Sequence, residues 1–379
     1  MTTWEKYGIL YIVNIYVYYF NARRSKMKTM KNATAFVLFL LLGTGFVFAS
    51  GKSQQQGNAK GASGVGGSTT NPDSVISAAR LKEFIDNGDK NLVIIGVINP
   101  ATALIPFSPA SKPIEGSYLV WRGDYSGGGS LEAISPEVTG VRKSKEDMEG
   151  LLSRAGVTPN SRIVVYAADS MHDAARFAWQ LRVLGLENVS YLDGGINAWI
   201  AAGYPSGKSV RLADQPPKNA FKAPNYDPRK YDANITQVRD ALRNPGEWVV
   251  IDTRSRDEYD GKRTGNSSGA FGTGRIKGAA YINWTDAVDS DTQLLKSKAE
   301  LEKIYGNVIK GKKVITYCQS GVRSAHTWLV LTELLGAKEV YNYDGSWIEW
   351  SFAASEASGN RYTDILELTE EWNDNKKPI

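Results

Sequence analysis

One residue in the sequence offers nucleophilic chemistry of its own, namely Cys318, the single cysteine among 379 residues. The β-branched and aromatic run at 314–317 predicts a strand that ends at this thiol. The segment from Gln319 to Arg323 is short and polar and contains Gly321, and helix-like sequence follows it. In α/β proteins, sites form where the carboxyl ends of strands lead into helices. We therefore expect Cys318 to lie in a functional site.

Several neighbours of Cys318 should favour its thiolate. Gly321 allows a tight turn in which backbone N–H groups point inward, and a helix beginning near Val322 or Arg323 would direct its positive end at the same point. Arg323 adds a full positive charge. Each effect lowers the pKa of a thiol, so we predict a reactive Cys318 rather than a buried, inert one.

The composition restricts the other kinds of site. One cysteine and two histidines, His172 and His326, exclude an intramolecular disulfide and a metal centre built on several Cys or His ligands. No cofactor is predicted. The net charge is +5, but Lys and Arg do not form the concentrated stripe that binds nucleic acid. Small anionic substrates are compatible with this mild excess of positive charge, and no nucleic-acid partner is expected.

Two parts of the chain repeat one pattern. Each copy has a β-branched run, a polar loop, a helix with Leu at helical spacing, a Gly turn, a short strand and then Asp-Gly and Trp, at 161–199 and 312–350. The pairs Asp193-Gly194 and Asp344-Gly345 lie 151 residues apart, and so do Trp199 and Trp350. A fixed offset at two elements indicates a duplicated unit.

Helix and strand patterns alternate within each copy. The segments 76–97 and 235–254 both read as a helix followed by a buried strand, and each leads to an aromatic strand near 114–121 or 276–284. Such alternation predicts an α/β fold with two tandem domains, each a parallel sheet covered by helices on both faces. The Pro-rich, polar segment 205–230 is interpreted as the connector between them.

Both halves resemble rhodanese domains, and the chain resembles tandem-domain sulfurtransferases of the thiosulfate/3-mercaptopyruvate type from about residue 74 to about 354. The resemblance is carried by the loop CQSGVR at 318–323, DTRSRDEY at 252–259, GRIKGAAYINW at 274–284 and YDGSWIEW at 343–350. The first half matches through LDGGINAW but has no cysteine. The resemblance implies an inactive copy at 74–204, a linker at 205–230, a catalytic domain at 231–356 and a C-terminal tail at 357–379.

The resemblance also implies a two-step reaction. Cys318 would take a sulfane sulfur from a small anionic donor, thiosulfate or 3-mercaptopyruvate, and pass it from a persulfide to cyanide or a thiol. Arg323 would be the second catalytic residue. The predicted substrate-binding residues are Gln319, Ser320, Gly321, Val322, Ser324 and Arg254.

Donor identity stays open because the chain departs from both family patterns. Members that prefer thiosulfate tend to have Lys as the third loop residue, where this chain has Ser320. Members of the mercaptopyruvate type usually end the loop in a small residue, where this chain has Arg323. A substrate-binding Arg of the family matches Glu258 here, and Arg254 or Arg256 nearby could compensate.

Three other functions are weighed against this one. A Cys-based phosphatase is disfavoured because such loops hold one more residue between Cys and Arg than the four here. A persulfide carrier that delivers sulfur to a protein partner with little turnover is the leading alternative, and a non-catalytic interaction platform is the third. Replacement of Arg323 by Ala is expected to lower activity without unfolding the protein.

The N-terminal region indicates export. Apolar stretches lie at 8–20 and 33–49, and basic residues precede the second, which ends in small side chains. This layout predicts a signal peptide over 1–49, cleaved after Ala49, followed by a flexible Gly/Ser-rich linker at 50–73. The protein is therefore expected to be exported to the periplasm or another extracytoplasmic location. The alternatives are a retained membrane anchor, or a start at Met27 or Met30.

Four further residues receive interpretations that the structure can test. His326 is expected to point away from the sulfur, and Trp347 is expected to be a packing residue. Asp344 is expected to cap a turn or helix. Arg122, next to Trp121, is placed near the site at the domain interface on the strength of the repeat alone.

Overall fold

The computed structural model describes residues 73–128, 134–359 and 361–374. The predicted signal or anchor at 1–49 lies outside the described residues, and so does the predicted linker at 50–73, apart from Asp73. None of the helices within the described ranges combines the length and apolar composition that crossing a membrane requires.

The first half forms a six-stranded sheet in the order β1-β7-β6-β2-β3-β8, and every neighbouring pair is parallel. Its central strands are continuous apolar runs because helices cover both faces. The strands are β1 (Val75–Ile76), β2 (Leu92–Val97), β3 (Tyr118–Val120), β6 (Arg162–Ala167), β7 (Val189–Leu192) and β8 (Val210–Arg211), and an antiparallel pair joins β4 (Ser126–Gly128) to β5 (Thr139–Arg142).

Six helices lie among the described residues of this half. Ser and Asn side chains cap several of them, as Ser77 does for the first helix by accepting from the Arg80 N–H. The helices are α1 (Ala78–Asp86), α2 (Pro100–Ala103), α3 (Arg122–Tyr125), α4 (Lys145–Ala155), α5 (Met171–Val183) and α6 (Gly195–Ala201), with short 3₁₀ turns at Pro109–Ser111 and Leu212–Asp214.

The second half forms a five-stranded parallel sheet in the order β12-β10-β13-β14-β9. The strands are β9 (Asp232–Ala233), β10 (Trp248–Asp252), β12 (Ala280–Tyr281), β13 (Lys313–Tyr317) and β14 (Val340–Tyr343). The helices are α7 (Ile235–Arg243), α8 (Arg256–Tyr259), α9 (Lys298–Ile309), α10 (Val322–Leu329), α11 (Ser346–Ala354) and α12 (Thr363–Glu367), and a π-helical stretch, Val330–Leu334, continues α10. Shorter 3₁₀ turns lie at Pro228–Lys230, Gly265–Ser267, Trp284–Ala287 and Glu356–Ser358.

The two sheets have the same strand order, which confirms the internal repeat. Read from β1, the first sheet runs through β7, β6, β2 and β3, and the second runs from β9 through β14, β13, β10 and β12. The strand β13, which delivers Cys318, is the counterpart of β6. The predicted α/β fold with two tandem parallel sheets is confirmed.

The connector and the tail are more ordered than their composition suggested. Within the predicted connector, β8 pairs with β3 at the sheet edge and Leu212 is buried. Within the predicted tail, β15 (Thr369–Asp374) pairs antiparallel with β11 (Gly272–Ile276), and Ile365 is buried. Both segments add packing surface to the domain that precedes them, which a polar composition does not reveal.

The two domains share one apolar core. Helix α5 of the first domain packs against α10 of the second, and one cluster of buried residues includes Trp179 on α5 and Trp328 on α10. Since α10 begins directly after the Cys318 loop, the first domain supports the predicted site from behind.

Candidate active site

Cys318 is the first residue after β13, and both of its backbone groups are held by the segment around α11. Its N–H donates to Ser346 Oγ at 3.2 Å, and its carbonyl accepts from the Trp347 N–H at 3.0 Å. Its side chain is only 1% exposed. The thiol therefore occupies a fixed position at the carboxyl edge of the sheet, as the sequence predicted.

The loop after Cys318 turns at Gly321, whose φ of 74° lies in the left-handed region that favours glycine. A Cβ at this position would lie 2.8 Å from Arg176 Nη1 and from the Asp344 carbonyl oxygen. The Gly321 carbonyl accepts from Asn342 Nδ2 at 3.0 Å and from Arg176 Nη1 at 3.3 Å. Both backbone strain and crowding therefore require glycine here.

The surroundings of the sulfur favour its ionised form. Burial raises the pKa of the Cys318 thiol, but the Arg323 charge, the Ser324 hydroxyl and the N–H groups of Ser324 and Ser320 together outweigh it, so the pKa lies below its ordinary value. Ser324 Oγ lies 3.5 Å from Cys318 Sγ and 2.6 Å from Asn342 Oδ1. Its single proton can serve one of these two acceptors at a time.

Arg323 makes a bidentate ion pair with a buried carboxylate. Its Nη1 and Nη2 donate to the two oxygens of Glu258 at 2.7 and 2.8 Å. Burial raises the pKa of Glu258, but this pair and the Ser255 hydroxyl lower it to about 2 overall. Two of the three positions at which the sequence departs from the family patterns, Glu258 and Arg323, therefore bind each other.

The structure argues against the predicted substrate-binding role of Arg254. Its guanidinium is buried, pairs through Nε and Nη2 with Asp252, and donates to the Gly274 carbonyl at 2.8 Å. It also lies over the ring of Trp347, 4.7 Å from the centroid. This arginine holds the strand end and the neighbouring loops together, and it does not line the cavity at Cys318.

A cavity of about 490 Å³ opens at Cys318. Five of the predicted site residues line it, whereas Gly321 and Ser324 shape the loop behind it. Its lining within the described residues comprises Arg122, His172, Ser255, Gly265, Ser268, Asn283, Trp284, Thr285, Cys318, Gln319, Ser320, Val322 and Arg323.

The first domain contributes two of the lining residues. Arg122 lies at the cavity, as the repeat suggested; it begins α3 and pairs with Asp173 through Nε at 2.8 Å and Nη2 at 3.2 Å. His172 lies on the first turn of α5 and packs edge-on against Trp284 at 4.6 Å. Burial lowers the pKa of His172 to about 4, so its ring is neutral at neutral pH. Sequence reasoning interpreted His172 as an ordinary exposed loop residue, which is wrong: it lies on a helix, and only the domain interface brings it to the cavity.

Of the three remaining expectations, those for His326 and Trp347 are confirmed and that for Asp344 is wrong. His326 is buried between Trp284 and Tyr191 and does not line the cavity, which confirms that it points away from the sulfur. Trp347 is buried packing, also as expected. The capping role expected for Asp344 is wrong, because its carboxylate accepts from Arg176 of the first domain and from the Arg142 N–H.

The rhodanese-like domain model matches the chain twice, at residues 112–202 and 235–353, which together cover just over half of it. The chain belongs to the rhodanese-like family. The second match contains Cys318 and its loop, and the first match covers the half that has no cysteine.

Curated relatives of this rhodanese-like chain include sulfurtransferases and a sulfur carrier. It is 36% identical over 213 residues to SseA of Mycobacterium tuberculosis, covering 55% of this chain and 69% of that protein. It is 34% identical to a thiosulfate sulfurtransferase of Corynebacterium glutamicum, covering 53% and 66%. It is 32% identical to the sulfur carrier protein TtuD of Thermus thermophilus, covering 55% and 74%.

The rhodanese fold is confirmed by solved structures. SseA from Escherichia coli, whose structure describes the fold and mechanism of 3-mercaptopyruvate sulfotransferases, superposes with a TM-score of 0.57 at 24% identity. The alignment covers 72% of this chain and 98% of that one. At this identity the likeness concerns the fold alone.

Proposed function

We propose that this rhodanese-like protein is a sulfurtransferase that moves a sulfane sulfur from thiosulfate or 3-mercaptopyruvate, through a persulfide on Cys318, to cyanide or a thiol. The observation that carries the proposal is the environment of the Cys318 sulfur. Its pKa is lowered by a neighbouring guanidinium, a hydroxyl and two backbone N–H groups, and it lies at a cavity with no Asp or Glu in its described lining.

Each step is a displacement at sulfur. The Cys318 thiolate attacks the outer sulfur of thiosulfate, so that an S–S bond forms to Sγ while the donor's S–S bond breaks and its electron pair leaves with sulfite. Cyanide then attacks the outer sulfur of the persulfide, and the electron pair returns to Sγ. Dividing one transfer into two steps is covalent catalysis. The N–H groups that favour the thiolate would also stabilise the persulfide anion.

The test is sulfur loading followed by turnover. The protein is mixed with thiosulfate or 3-mercaptopyruvate, and its intact mass is measured. We expect the gain of one sulfur atom in the wild type and no gain in Cys318→Ser, followed by catalytic formation of thiocyanate when cyanide is added. A wild type that neither gains mass nor forms thiocyanate with either donor would overturn the proposal.

Sulfur delivery to a protein partner is the second candidate function, favoured by the similarity to the sulfur carrier TtuD. A carrier takes up one sulfur atom per chain and then stalls with free small acceptors, whereas an enzyme turns over repeatedly. Steady-state turnover with cyanide or a small thiol therefore separates the two. A phosphatase assay alongside tests the remaining Cys-based alternative.

We also propose that the protein is exported, with residues 1–49 acting as a cleaved signal or a retained membrane tether. The support is the order of basic residues, apolar core and small side chains before residue 50. N-terminal sequencing of the protein recovered from the cell exterior tests this. We expect a mature chain that begins at residue 50. Recovery of the intact chain from the cytoplasm alone would contradict export.

A further inference from the structure

The cavity at Cys318 has two cationic side chains, one from each domain. Arg323 comes from the loop that carries the thiol, and Arg122 comes from the first domain. No carboxylate lines the cavity among the described residues, and His172 is neutral at neutral pH. The positive charge of the cavity therefore rests on these two guanidinium groups.

The two guanidinium groups differ in what they have left to offer a substrate. Both terminal nitrogens of Arg323 are engaged by Glu258. Arg122 is held by Asp173 through Nε and Nη2, and Nη1 has no hydrogen bond to any residue that the structure describes. The Arg122 side chain is 46% exposed, against 13% for Arg323. Arg122 is therefore the better placed of the two to bind an incoming anion.

The guanidinium of Arg122 is fixed in orientation before any substrate arrives. Asp173, buried on the first turn of α5, accepts hydrogen bonds from one edge of the guanidinium group. The ring centroid of Trp121 lies 5.4 Å from the central carbon of that group. A side chain held in this way loses little conformational entropy when it binds. The planar group presents its remaining edge, with N–H donors in a fixed geometry that suits carboxylate and sulfonate oxygens.

We infer that Arg122, supplied by the domain without a cysteine, binds the anionic end of the sulfur donor. This inference rests on the proposed function. The sulfonate oxygens of thiosulfate, or the carboxylate of 3-mercaptopyruvate, accept from Nη1 of Arg122 while the outer sulfur faces Cys318 Sγ. In thiosulfate the leaving sulfite carries away the bond's electron pair, so Arg122 stabilises the charge on the leaving group. Glu258 occupies the position that matches the substrate-binding Arg of the family, and a carboxylate cannot supply this positive charge.

The test separates loading of sulfur from its release. Arg122→Met keeps the apolar stem of the side chain and removes the charge. Because a hydrogen bond to a charged group is typically lost at a cost of roughly tenfold or more in affinity, we expect the rate of persulfide formation at sub-saturating thiosulfate to fall by about that factor. Arg122→Lys, which keeps the charge but not the planar fork, should fall between Arg122→Met and the wild type.

Release of the sulfur to dithiothreitol, a thiol that has no carboxylate or sulfonate group, provides the internal control. We expect it to fall less in Arg122→Met than loading does, since the anionic end of the donor has already left. The matched variant is Arg243→Met, which removes an exposed arginine of the second domain that does not line the cavity. Its loading rate should equal that of the wild type.

Two results would overturn the inference. One is unchanged loading of Arg122→Met at low thiosulfate. The other is an equal loss of loading, release and thermal stability, which would make Arg122 a structural residue. A wild type that takes up no sulfur would instead refute the proposed function, so the two failures are distinguishable.

Discussion

At the scale of single residues, the site depends on how one sulfur atom is surrounded. Burial alone would keep Cys318 protonated, and the structure opposes burial with a guanidinium, a hydroxyl and two N–H groups. The sequence predicted the thiol, the loop and the effect of Arg323. It could not predict which carboxylate Arg323 binds, because Glu258 lies 65 residues away in the chain and only the fold brings the two together.

The Arg323 charge should be measurable through the reactivity of the thiol. We expect Arg323→Met to raise the pKa of Cys318, because the nearby positive charge that favours the thiolate is lost. The rate of iodoacetamide alkylation, followed as a function of pH, reports this pKa. A profile identical to that of the wild type would show that Arg323 does not act on the sulfur.

The same variant should also lose stability, which revises the expectation that removing Arg323 leaves folding intact. Glu258 is buried, and breaking one side of a buried ion pair typically costs about 3–5 kcal/mol. Adding Glu258→Gln should restore much of that loss without restoring the low pKa of Cys318. Urea unfolding of the single and double variants measures this. Equal losses in both would contradict the role assigned to Glu258.

A second buried carboxyl, that of Glu349, should make the protein less stable as the pH rises. Burial raises the pKa of Glu349 from 4.5 to about 7, although the nearby Tyr343 hydroxyl and a hydrogen bond from the Ile134 N–H oppose it. Between these values the folded protein binds a proton that the unfolded chain has released, so this group costs stability as the pH rises. We expect Glu349→Gln to stabilise the protein more at pH 8 than at pH 5, measured by urea midpoints, with exposed Glu356→Gln as the control.

At the scale of elements, the repeat made most of the fold predictable. The 151-residue offset, the alternation of helix and strand and the strand-end position of Cys318 all appear in the structure. The edge strand β8 and the tail strand β15 were missed, because short polar segments that pair at an edge have no apolar alternation to reveal them. Tertiary pairing decides their conformation.

The turn at Gly321 allows a controlled test of loop geometry. Gly321 and Gly278 have nearly the same positive φ, 74° and 75°, but a Cβ at Gly278 meets nothing within 4 Å. We expect Gly278→Ala to cost about 1 kcal/mol for the backbone alone. Gly321→Ala should cost a further 1–3 kcal/mol or so for the overpacking, and it should slow sulfur loading by roughly tenfold or more because the loop shifts. Similar results for both variants would show that crowding behind the loop is unimportant.

At the scale of the whole molecule, the domain without a cysteine is part of the site. It contributes Arg122 and His172 to the cavity and Arg176 to the back of the active loop, where Arg176 binds Asp344 and the Gly321 carbonyl. A shared apolar core joins the domains along α5 and α10. The sequence predicted an inactive copy and placed Arg122 near the site, but it did not predict the contributions of His172 and Arg176.

The cross-domain role of Arg176 gives a prediction about both stability and activity. Arg176 is fully buried, so Arg176→Met should destabilise the protein by about 3–5 kcal/mol and also slow loading at Cys318, which lies in the other domain. Arg80→Met, at an exposed pair, should change stability by no more than about 0.5 kcal/mol. Urea unfolding and loading kinetics check both. Loss of stability with normal loading would show that Arg176 stabilises the domain interface without affecting the reaction at Cys318.

The solitary thiol has a consequence for what the loaded protein can do. With no second cysteine in the chain, the persulfide has no internal thiol to attack it, so it cannot collapse into a disulfide and release sulfide. Sulfur that has entered can therefore depart only when a foreign nucleophile reaches into the cavity. The loaded protein therefore keeps its sulfur until an acceptor small enough to enter the cavity removes it.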